Sequence, residues 1–464
     1  MRNVLQPAVD WLKTVFEEQK HTQQKSTIAV LDGVRGLAIL FVISYHINSS
    51  MTQGKVLDWH TNALAMSILT AGGTGVTLFF VLSGFLLFMP YAKALLFAGR
   101  WPLARTFYLR RALRILPGYY LSLFVLLLVE GRDYFLPVNW PKLGLFVSFL
   151  MDSSRLSFRE LNGPYWTLAV EWQFYMILPL LALVFFWLVK RVPVQKRLPA
   201  VTCCLVGVIA CSLLIRFGGY YFQGNPQTSL LVPRPVLNVV LFFTFGIVGK
   251  FTEDFAVGML ASLCYIHAQS LPGEQRFARV LRKLSLWLWG AGLVILVFSA
   301  MWHFQSDAQT PAWPFLNPLM PYYNGLSEIV LALGYGMCIL AILFGPRPLQ
   351  RPFAWMPLRW IGLISYSLYI WHLPLLQLLQ AMLARVPVCP YYAGYTLYWL
   401  WALVVIVPFC LFVYILIEKP GMRLGDRWRK AIEARYKARL QLANEPGESV
   451  EHVEARPEKA NISL

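Results

Sequence analysis

Residues 165–189 read YWTLAVEWQFYMILPLLALVFFWLV, an unbroken apolar run in which Glu171 is the one charged side chain. A helix needs about 20 such residues to cross the hydrocarbon core of a bilayer. The whole chain has the same character: of 464 residues, 57% are hydrophobic and 14% are charged, whereas soluble domains are about 25% charged. A soluble fold could not bury that much apolar surface. The sequence therefore predicts an integral membrane protein.

Nine other apolar runs of similar length accompany this one. Together they predict an all-α, polytopic helical bundle with about ten transmembrane helices. Two shorter apolar pieces, 141–151 and 236–247, predict partial or interfacial helices. The stretch 236–267 is ambiguous because three charged residues interrupt it, and its second half is taken as the span. The predicted spans are 28–47, 74–92, 113–130, 165–189, 199–216, 248–267, 284–302, 326–344, 359–380 and 397–417.

Lysine and arginine are concentrated in every second loop, which predicts that these loops and both termini are cytoplasmic. We therefore expect a multi-pass protein of the cell (inner) membrane, surrounded by the lipid bilayer. A net charge of +18 could indicate nucleic-acid binding. No nucleic-acid partner is expected, because the basic residues cluster at the ends of apolar segments. The clusters are Lys93, Arg100, Arg105, Arg110, Arg111 and Arg114; Lys190, Arg191, Lys196 and Arg197; Arg276, Arg279, Arg282 and Lys283; and Arg347 and Arg351.

The chain divides into three predicted segments. Residues 1–26 form a cytoplasmic amphipathic segment, since their apolar residues recur at helical spacing. Charged residues precede any long apolar run there, so a cleavable signal peptide is not expected. Residues 27–417 form the transmembrane domain. Residues 418–464 form a cytoplasmic tail that is basic at first and then polar.

Span one carries two ionisable residues, Arg35 and His46. Such groups are costly inside a membrane and are functional candidates for that reason. Eleven residues make almost three helical turns, so both side chains lie on one face, roughly 16 Å apart along the axis. The arrangement suits a ligand with an anionic head near Arg35 and a reactive group near His46. The structural alternative is a snorkelling arginine and an interfacial histidine.

A group of three arginines, Arg110, Arg111 and Arg114, lies where span three begins. Positions 110 and 114 share a helix face, and position 111 lies beside 114. Guanidinium groups match the geometry of phosphate oxygens, which makes the group a candidate phosphate clamp. The alternative is that these charges only set the orientation of the chain.

Two more ionisable residues lie inside predicted spans. Glu171 lies roughly 10 Å below the outer end of span four. A carboxylate there needs a partner, which could be His46, the acceptor or a neighbouring helix. His372 lies in the outer half of span nine, above Tyr366 and Tyr369 and near the level of His46. Packing is the alternative role of His372.

Small residues and cysteines are assigned structural roles. Gly73, just before span two, and Gly75, Ser83 and Gly84 within it are expected to allow close helix packing rather than to take part in chemistry. The seven cysteines show neither metal-ligand nor disulfide spacing. They are interpreted as small buried hydrophobic residues, and no metal is expected.

These segments follow one another in a characteristic order: RGLAI and YH in span one, FFVLSGFLL in span two, RRALR at span three, YWTLAVEWQFY in span four and SYSLYIWHLP in span nine. In that order they resemble the membrane-bound acyltransferase-3 family, over roughly residues 27–417. The family includes O-antigen acetylases, the membrane parts of peptidoglycan O-acetyltransferases, nodulation-factor acetylases and macrolide acyltransferases. An SGNH-type esterase domain, appended in some relatives, is absent from this sequence, so a relay through a fused domain is not expected.

The resemblance implies roles for individual residues. His46 would be the essential histidine, and Arg35 a required partner in the same helix. The resemblance also implies that Arg110, Arg111 and Arg114 serve in the use of acyl-CoA. Trp166, Glu171 and Tyr175 match a motif that recurs in the family. On this basis we predict that His46 and Glu171 are catalytic, that the four arginines bind acyl-CoA, and that Trp166, Tyr175 and His372 contact the acceptor.

The predicted activity is transfer of an acyl group, acetyl by family default, from cytoplasmic acyl-CoA to a hydroxyl of a glycan or glycan-containing acceptor. No permanently bound cofactor is expected, since acyl-CoA is a co-substrate. His46 would act as general base or form an acyl-histidine intermediate. The rival hypothesis is a transporter or flippase of a lipid-linked glycan, but no inverted repeat or matched pair of broken spans supports it. The sequence leaves the acyl chain, the acceptor hydroxyl and the oligomeric state open.

Overall fold

The computed structural model describes residues 29–51, 59–229, 232–270, 275–307, 312–383 and 391–444. Over these ranges the chain is helical and contains no strand. The α-helices are α1 (Ala29–Met51), α2 (Trp59–Thr70), α3 (Gly75–Phe97), α4 (Ala104–Val129), α5 (Trp140–Val147), α6 (Tyr165–Val189), α7 (Arg197–Gly224), α8 (Arg234–Thr244), α9 (Thr252–Ser270), α10 (Gln275–Asp307), α11 (Tyr323–Phe344), α12 (Arg347–Ala354), α13 (Met356–Leu363), α14 (Ser365–Leu383), α15 (Tyr391–Trp401), α16 (Val407–Val413) and α17 (Lys419–Asn444).

Many of these helices can cross a bilayer. Within the described ranges, eight are long and apolar enough to do so, and the bent pair α13–α14 makes a ninth if it counts as one span. The predicted all-α, multi-pass architecture is confirmed. The number of ten spans and the cytoplasmic position of both termini remain predictions, and residues 1–26 lie outside the described part of the chain.

The predicted span at 248–267 is a helix, α9, but it is not among the eight. Phe255, Ala256 and Met259 are fully buried, and Glu253 near the start of α9 is 1% exposed. Arg216 of α7 donates a hydrogen bond to Glu253 over 2.5 Å. Other helices pack around α9, so protein surrounds most of it. Ser212 and Arg216 are hydrogen-bond partners of Glu253, whereas both carboxylate oxygens of the buried Asp254 have no partner in the described part of the chain. That α9 crosses the bilayer remains a prediction.

Helices α3 and α9 cross in backbone contact. A Cβ atom on Gly84 would lie 2.1 Å from the carbonyl oxygen of Phe255, and one on Gly258 would lie 2.0 Å from that of Val81. Only glycine fits at either position. The close helix approach predicted for Gly84 is thereby confirmed.

The predicted span at 359–380 is broken. Helices α13 and α14 meet at Ile364 with a bend of 76°. Before the bend, α13 lies against the start of α1, where a Cβ atom on Gly362 would be 1.8 Å from the carbonyl oxygen of Asp32. Gly33 and Gly36 of α1 are equally close to the backbones of α12 and α13. These backbone contacts account for the position of α13 across α1, from which the chain turns into α14.

The connections between the long helices agree with the sequence in part. The short helices predicted at 141–151 and 236–247 are present as α5 and α8. Helix α2 lies between the predicted spans 28–47 and 74–92, where no helix was predicted. The last helical segments run on from Gly394 to Arg435 through two π-helical turns, Ala402–Ile406 and Tyr414–Glu418. The predicted tail boundary at 417–418 therefore lies within one long helix, and residues 445–464 lie outside the described ranges.

Not all cysteines are buried as predicted. Cys338 and Cys410 are buried, but Cys203 and Cys211 of α7 are exposed. Only 11% of the apolar stretch of α7 is buried within the protein. An apolar helix surface can face lipid as well as protein, so an apolar run does not show that its cysteines face inward.

Candidate active site

A partly open cavity, with about 620 Å³ of empty space including its solvent-exposed mouth, lies between α1, α3, α4, α6 and α14. Its walls combine aromatic and aliphatic side chains with a set of polar and charged ones. The lining residues are Arg35, Val76, Phe79, Phe80, Ser83, Arg111, Arg114, Ile115, Thr167, Leu168, Glu171, Tyr175, Ser365, Tyr366 and Tyr369.

Three arginines from two helices converge on this cavity. Arg35 comes from α1, and Arg111 and Arg114 come from α4. No carboxylate in the described part of the chain forms a salt bridge with any of the three. The guanidinium of Arg111 lies 5.8 Å from the centre of the Tyr175 ring, and its buried Nε has no hydrogen-bond partner. Asp32 and Glu171 interact electrostatically with Arg35, although neither carboxylate is within salt-bridge distance of it. Cations without a close partner inside a bundle are costly, and guanidinium groups bind phosphate oxygens strongly.

Arg110 is separate from this group. Its side chain is 43% exposed, and its Nε lies 3.9 Å from Oδ1 of Asp426 in α17. Residues 110 and 114 are one turn apart, which is about 6 Å along the helix axis. Arg114 reaches the cavity wall and Arg110 does not. The structure therefore brings Arg35 to two of the three predicted clamp arginines.

Glu171 is held on the cavity wall by two hydroxyl groups. Its Oε1 accepts a hydrogen bond of 2.7 Å from Oγ of Ser83 and another from Oη of Tyr175. Neither His46 nor His372 is hydrogen bonded to it in the described structure. Ser83, expected only to pack, is therefore also a polar partner of the carboxylate. The sequence signal was available, since Ser83 is a hydroxyl residue inside an apolar span.

Trp166 stands apart from the cavity. Its ring lies 5.6 Å from that of Phe158 and 5.5 Å from that of Phe251, measured between ring centres. It joins the loop before α6 to the residue before α9, and it does not line the cavity. Its predicted contact with the acceptor remains a prediction.

The two histidines of the candidate site are in contact. Nε2 of His372 lies 3.2 Å from Nδ1 of His46, and the ring centres are 4.9 Å apart. His372 is completely buried, whereas His46 is half-buried. Each Nδ1 also lies 2.9 Å from a carbonyl oxygen of its own helix, that of Val42 for His46 and that of Leu368 for His372.

Tyr369 lies between the cavity and the histidine pair. It lines the cavity, and its ring centre is 6.0 Å from that of His372. Its hydroxyl is hydrogen bonded to that of Thr167 in α6, and its ring packs edge-on against Phe79 at 6.0 Å. The histidines do not line the cavity. Phe79, Thr167 and Tyr369 are in contact and form one wall of the cavity, and Tyr369 also contacts His372.

Sequence reasoning missed buried carboxylates, among them Asp152, which is 2% exposed, and Glu418. Glu418, counted as the first residue of the tail, is 2% exposed and accepts a hydrogen bond from Oγ of Ser367 in α14. It ends the π-helical turn Tyr414–Glu418. Nearby, Oη of Tyr366 donates a 2.5 Å hydrogen bond to the carbonyl of Ile115 in α4. An acidic residue directly after an apolar run was the available signal.

Comparison with known families matches residues 28–418 to an acyltransferase domain, that of the acyltransferase-3 family. The match covers nearly the whole helical region. No solved structure matches the chain.

Comparison with curated proteins finds O-acetyltransferases. The chain is 28% identical over 375 residues to "Peptidoglycan O-acetyltransferase OatA" of Listeria monocytogenes, covering 76% of this chain and 50% of that protein. It is 28% identical over 429 residues to "Putative peptidoglycan O-acetyltransferase YrhL" of Bacillus subtilis, covering 88% of this chain and 56% of that protein. The chain thus spans about half the length of these relatives.

Proposed function

The chain belongs to the acyltransferase-3 family, and on that premise we propose that it is a membrane-bound O-acetyltransferase that moves an acetyl group from acetyl-CoA to a hydroxyl of a cell-envelope glycan. Two relatives carry names that specify peptidoglycan O-acetylation. Peptidoglycan is therefore the first acceptor to test. The acetyl-CoA donor and its approach from the cytoplasm are part of the proposal.

The observation that carries the proposal is the convergence of Arg35, Arg111 and Arg114 on one cavity. These side chains form no salt bridge with other described residues, so an anionic ligand would supply the missing partner. The phosphates of CoA fit this requirement, because planar guanidinium groups can each donate two parallel hydrogen bonds to phosphate. The carboxylate of Glu171 on the same wall offsets part of the positive charge.

The acyl arm would extend from the arginines toward the histidine pair. Arg35 and His46 lie on one helix, eleven residues and roughly 16 Å apart. An extended pantetheine arm would bring the thioester to the wall formed by Phe79, Thr167 and Tyr369. Rotation of Tyr369 away from Thr167 would then open a path to His46 at the loss of one hydrogen bond.

The proposed chemistry uses His46 in its neutral form. The imidazole accepts the proton of the acceptor hydroxyl, and the hydroxyl oxygen attacks the thioester carbonyl carbon. The new C–O bond forms, the C–S bond breaks, and the proton passes from His46 to the sulfur of CoA, which leaves as the thiol. In the alternative, His46 first takes the acetyl group and then passes it to the hydroxyl.

The test uses the purified chain in lipid nanodiscs with acetyl-CoA and peptidoglycan fragments. We expect release of free CoA that requires the acceptor, together with one acetyl group added to the glycan by mass spectrometry. Movement of glycan across proteoliposomes in the absence of acetyl-CoA would instead favour the transporter hypothesis. Acetyl-CoA binding with no acetylation of any envelope glycan would contradict the proposed acceptor class.

A further inference from the structure

We infer that His372 is a positioning residue, which holds His46 in the tautomer that carries its proton on Nδ1 and leaves Nε2 as the free base. The inference rests on the proposed function, because it assigns the atom of His46 that accepts the proton. It differs from the direct contact with the acceptor that the sequence predicted for His372.

Three contacts determine the arrangement of protons in the histidine pair. Nδ1 of His372 lies 2.9 Å from the carbonyl oxygen of Leu368. Nδ1 of His46 lies 2.9 Å from the carbonyl oxygen of Val42 and 3.2 Å from Nε2 of His372. A carbonyl oxygen can only accept a hydrogen bond, and a neutral imidazole has one nitrogen that donates and one that accepts.

One assignment of protons satisfies all three contacts. If Nδ1 of His372 donates to Leu368, its Nε2 must accept. Nδ1 of His46 then donates, shared between Nε2 of His372 and the carbonyl of Val42. The opposite assignment would place the lone pair of each Nδ1 against a carbonyl oxygen. Nε2 of His46 is therefore the unprotonated nitrogen, as a general base requires.

The surroundings of His372 suit a fixed supporting group. Its side chain is completely buried, and both of its nitrogens are used in the contacts above. The loop before α6 contacts the turn of α14 that carries His372. Nδ2 of Asn162 in that loop donates a 2.9 Å hydrogen bond to the carbonyl oxygen of Ile370. A Cβ atom on Gly163 would lie 3.0 Å from the side chain of Leu373. A buried imidazole held in this way orients its neighbour as the buried carboxylate does in serine proteases.

The tautomer can be measured directly with ring-¹⁵N-labelled histidine in nanodiscs. The chain has seven histidines, so the signals of His46 are identified by their loss in His46→Gln. We expect a protonated Nδ1 and an unprotonated Nε2 in the wild-type protein, a shift toward protonated Nε2 in His372→Leu, and retention of the wild-type pattern in His372→Gln. The amide oxygen of glutamine can replace Nε2 as acceptor. A protonated Nε2 on wild-type His46, or an unchanged tautomer in His372→Leu, would overturn the inference.

Kinetics provide a second and independent measurement. In His372→Leu we expect kcat to fall about 10–100-fold, as for other groups that orient a functional histidine, with the KM for acetyl-CoA unchanged. His372→Gln should recover most of the loss, and His372→Asn, whose amide is too short to reach His46, should not. His303→Gln is the matched control, because Nδ1 of His303 is hydrogen bonded to Oη of Tyr323 over 2.6 Å and His303 is not part of the histidine pair. Its kcat should equal that of the wild type. Equal loss in His372→Leu and His372→Gln would contradict positioning through an acceptor atom. If the wild-type protein transfers no acetyl group, the proposed function is wrong. The NMR measurement would still test the tautomer of His46, because it does not depend on acetyl transfer.

Discussion

Arg110 and Arg111 are adjacent in the sequence and face different surroundings. Arg111 lies 5.8 Å from the centre of the Tyr175 ring and lines the cavity. Arg110 is 43% exposed and lies near Asp426 of α17. Both contribute equally to the charge of their loop and therefore to orientation of the chain in the membrane. Only Arg111 is placed to bind a ligand in the cavity, which separates the two possible roles of this group.

Replacing Arg111 or Arg114 with lysine should weaken binding of acetyl-CoA about 10-fold or more. Lysine keeps the charge but cannot offer the planar fork, and one hydrogen bond to a charged group contributes ~1.5–3 kcal/mol. Titration calorimetry in nanodiscs would measure the affinity. Arg110→Lys is the matched control and should bind acetyl-CoA like the wild type. If all three variants bind acetyl-CoA as tightly as the wild type, Arg110, Arg111 and Arg114 do not belong to the binding site. Arg35 would then be the main donor-binding candidate.

His46→Ala should lower kcat by about 10²–10⁴, the usual contribution of a general base. Binding of acetyl-CoA should be unchanged, because His46 does not line the cavity. Acetyl transfer and ligand binding would be measured on the same preparation, with thermal unfolding as a check that the variant is folded. Full activity in a folded His46→Ala protein would rule out the mechanism. High activity in His46→Gln would indicate a hydrogen-bonding role in place of proton transfer.

Features that depend on one helix were predictable from the sequence. The apolar run of α6 is a span whatever packs around it, and the eleven-residue spacing places Arg35 and His46 on one face of α1. The contact between His46 and His372 was not predicted. Both were placed near the same level, but a level in the membrane does not determine which helices are neighbours.

Features that depend on neighbouring helices were not predictable. The break at Ile364 follows contact between the backbones of α13 and α1, at glycines such as Gly362 whose role appears only when the partner backbone is known. Helical spacing gives the angle between Arg110 and Arg111 but not which of the two faces α17. Hydropathy reports how apolar a helix is and not which residues surround it, so it did not show that other helices enclose α9.

The basic loops, such as the one between α3 and α4, should be cytoplasmic. The connection between α10 and α11 should lie on the opposite side of the membrane. Single cysteines at Gly99 and Phe315 would test this in a background without the seven native cysteines, because Cys203 and Cys211 are exposed. Gly99 is exposed, and Phe315 is 63% exposed. A membrane-impermeant maleimide added to intact cells should label Phe315→Cys and should label Gly99→Cys only after permeabilisation. Outside labelling of Gly99→Cys in sealed cells would reverse the assigned orientation.

Gly258→Ala should destabilise the protein by about 1–3 kcal/mol, the usual cost of overpacking a close-packed interior. The added Cβ would lie 2.0 Å from the carbonyl oxygen of Val81, and backbone cannot move aside as a flexible side chain can. Helices α3 and α9 would have to separate, and with them Ser83, whose hydroxyl holds Glu171 at the cavity. Gly207→Ala in α7 is the control, because a Cβ there meets nothing within 4 Å and alanine favours the helix. Thermal unfolding in detergent would measure both variants. We expect a clear fall in the midpoint for Gly258→Ala and none for Gly207→Ala, and similar midpoints would show that the two helices are not packed through their backbones.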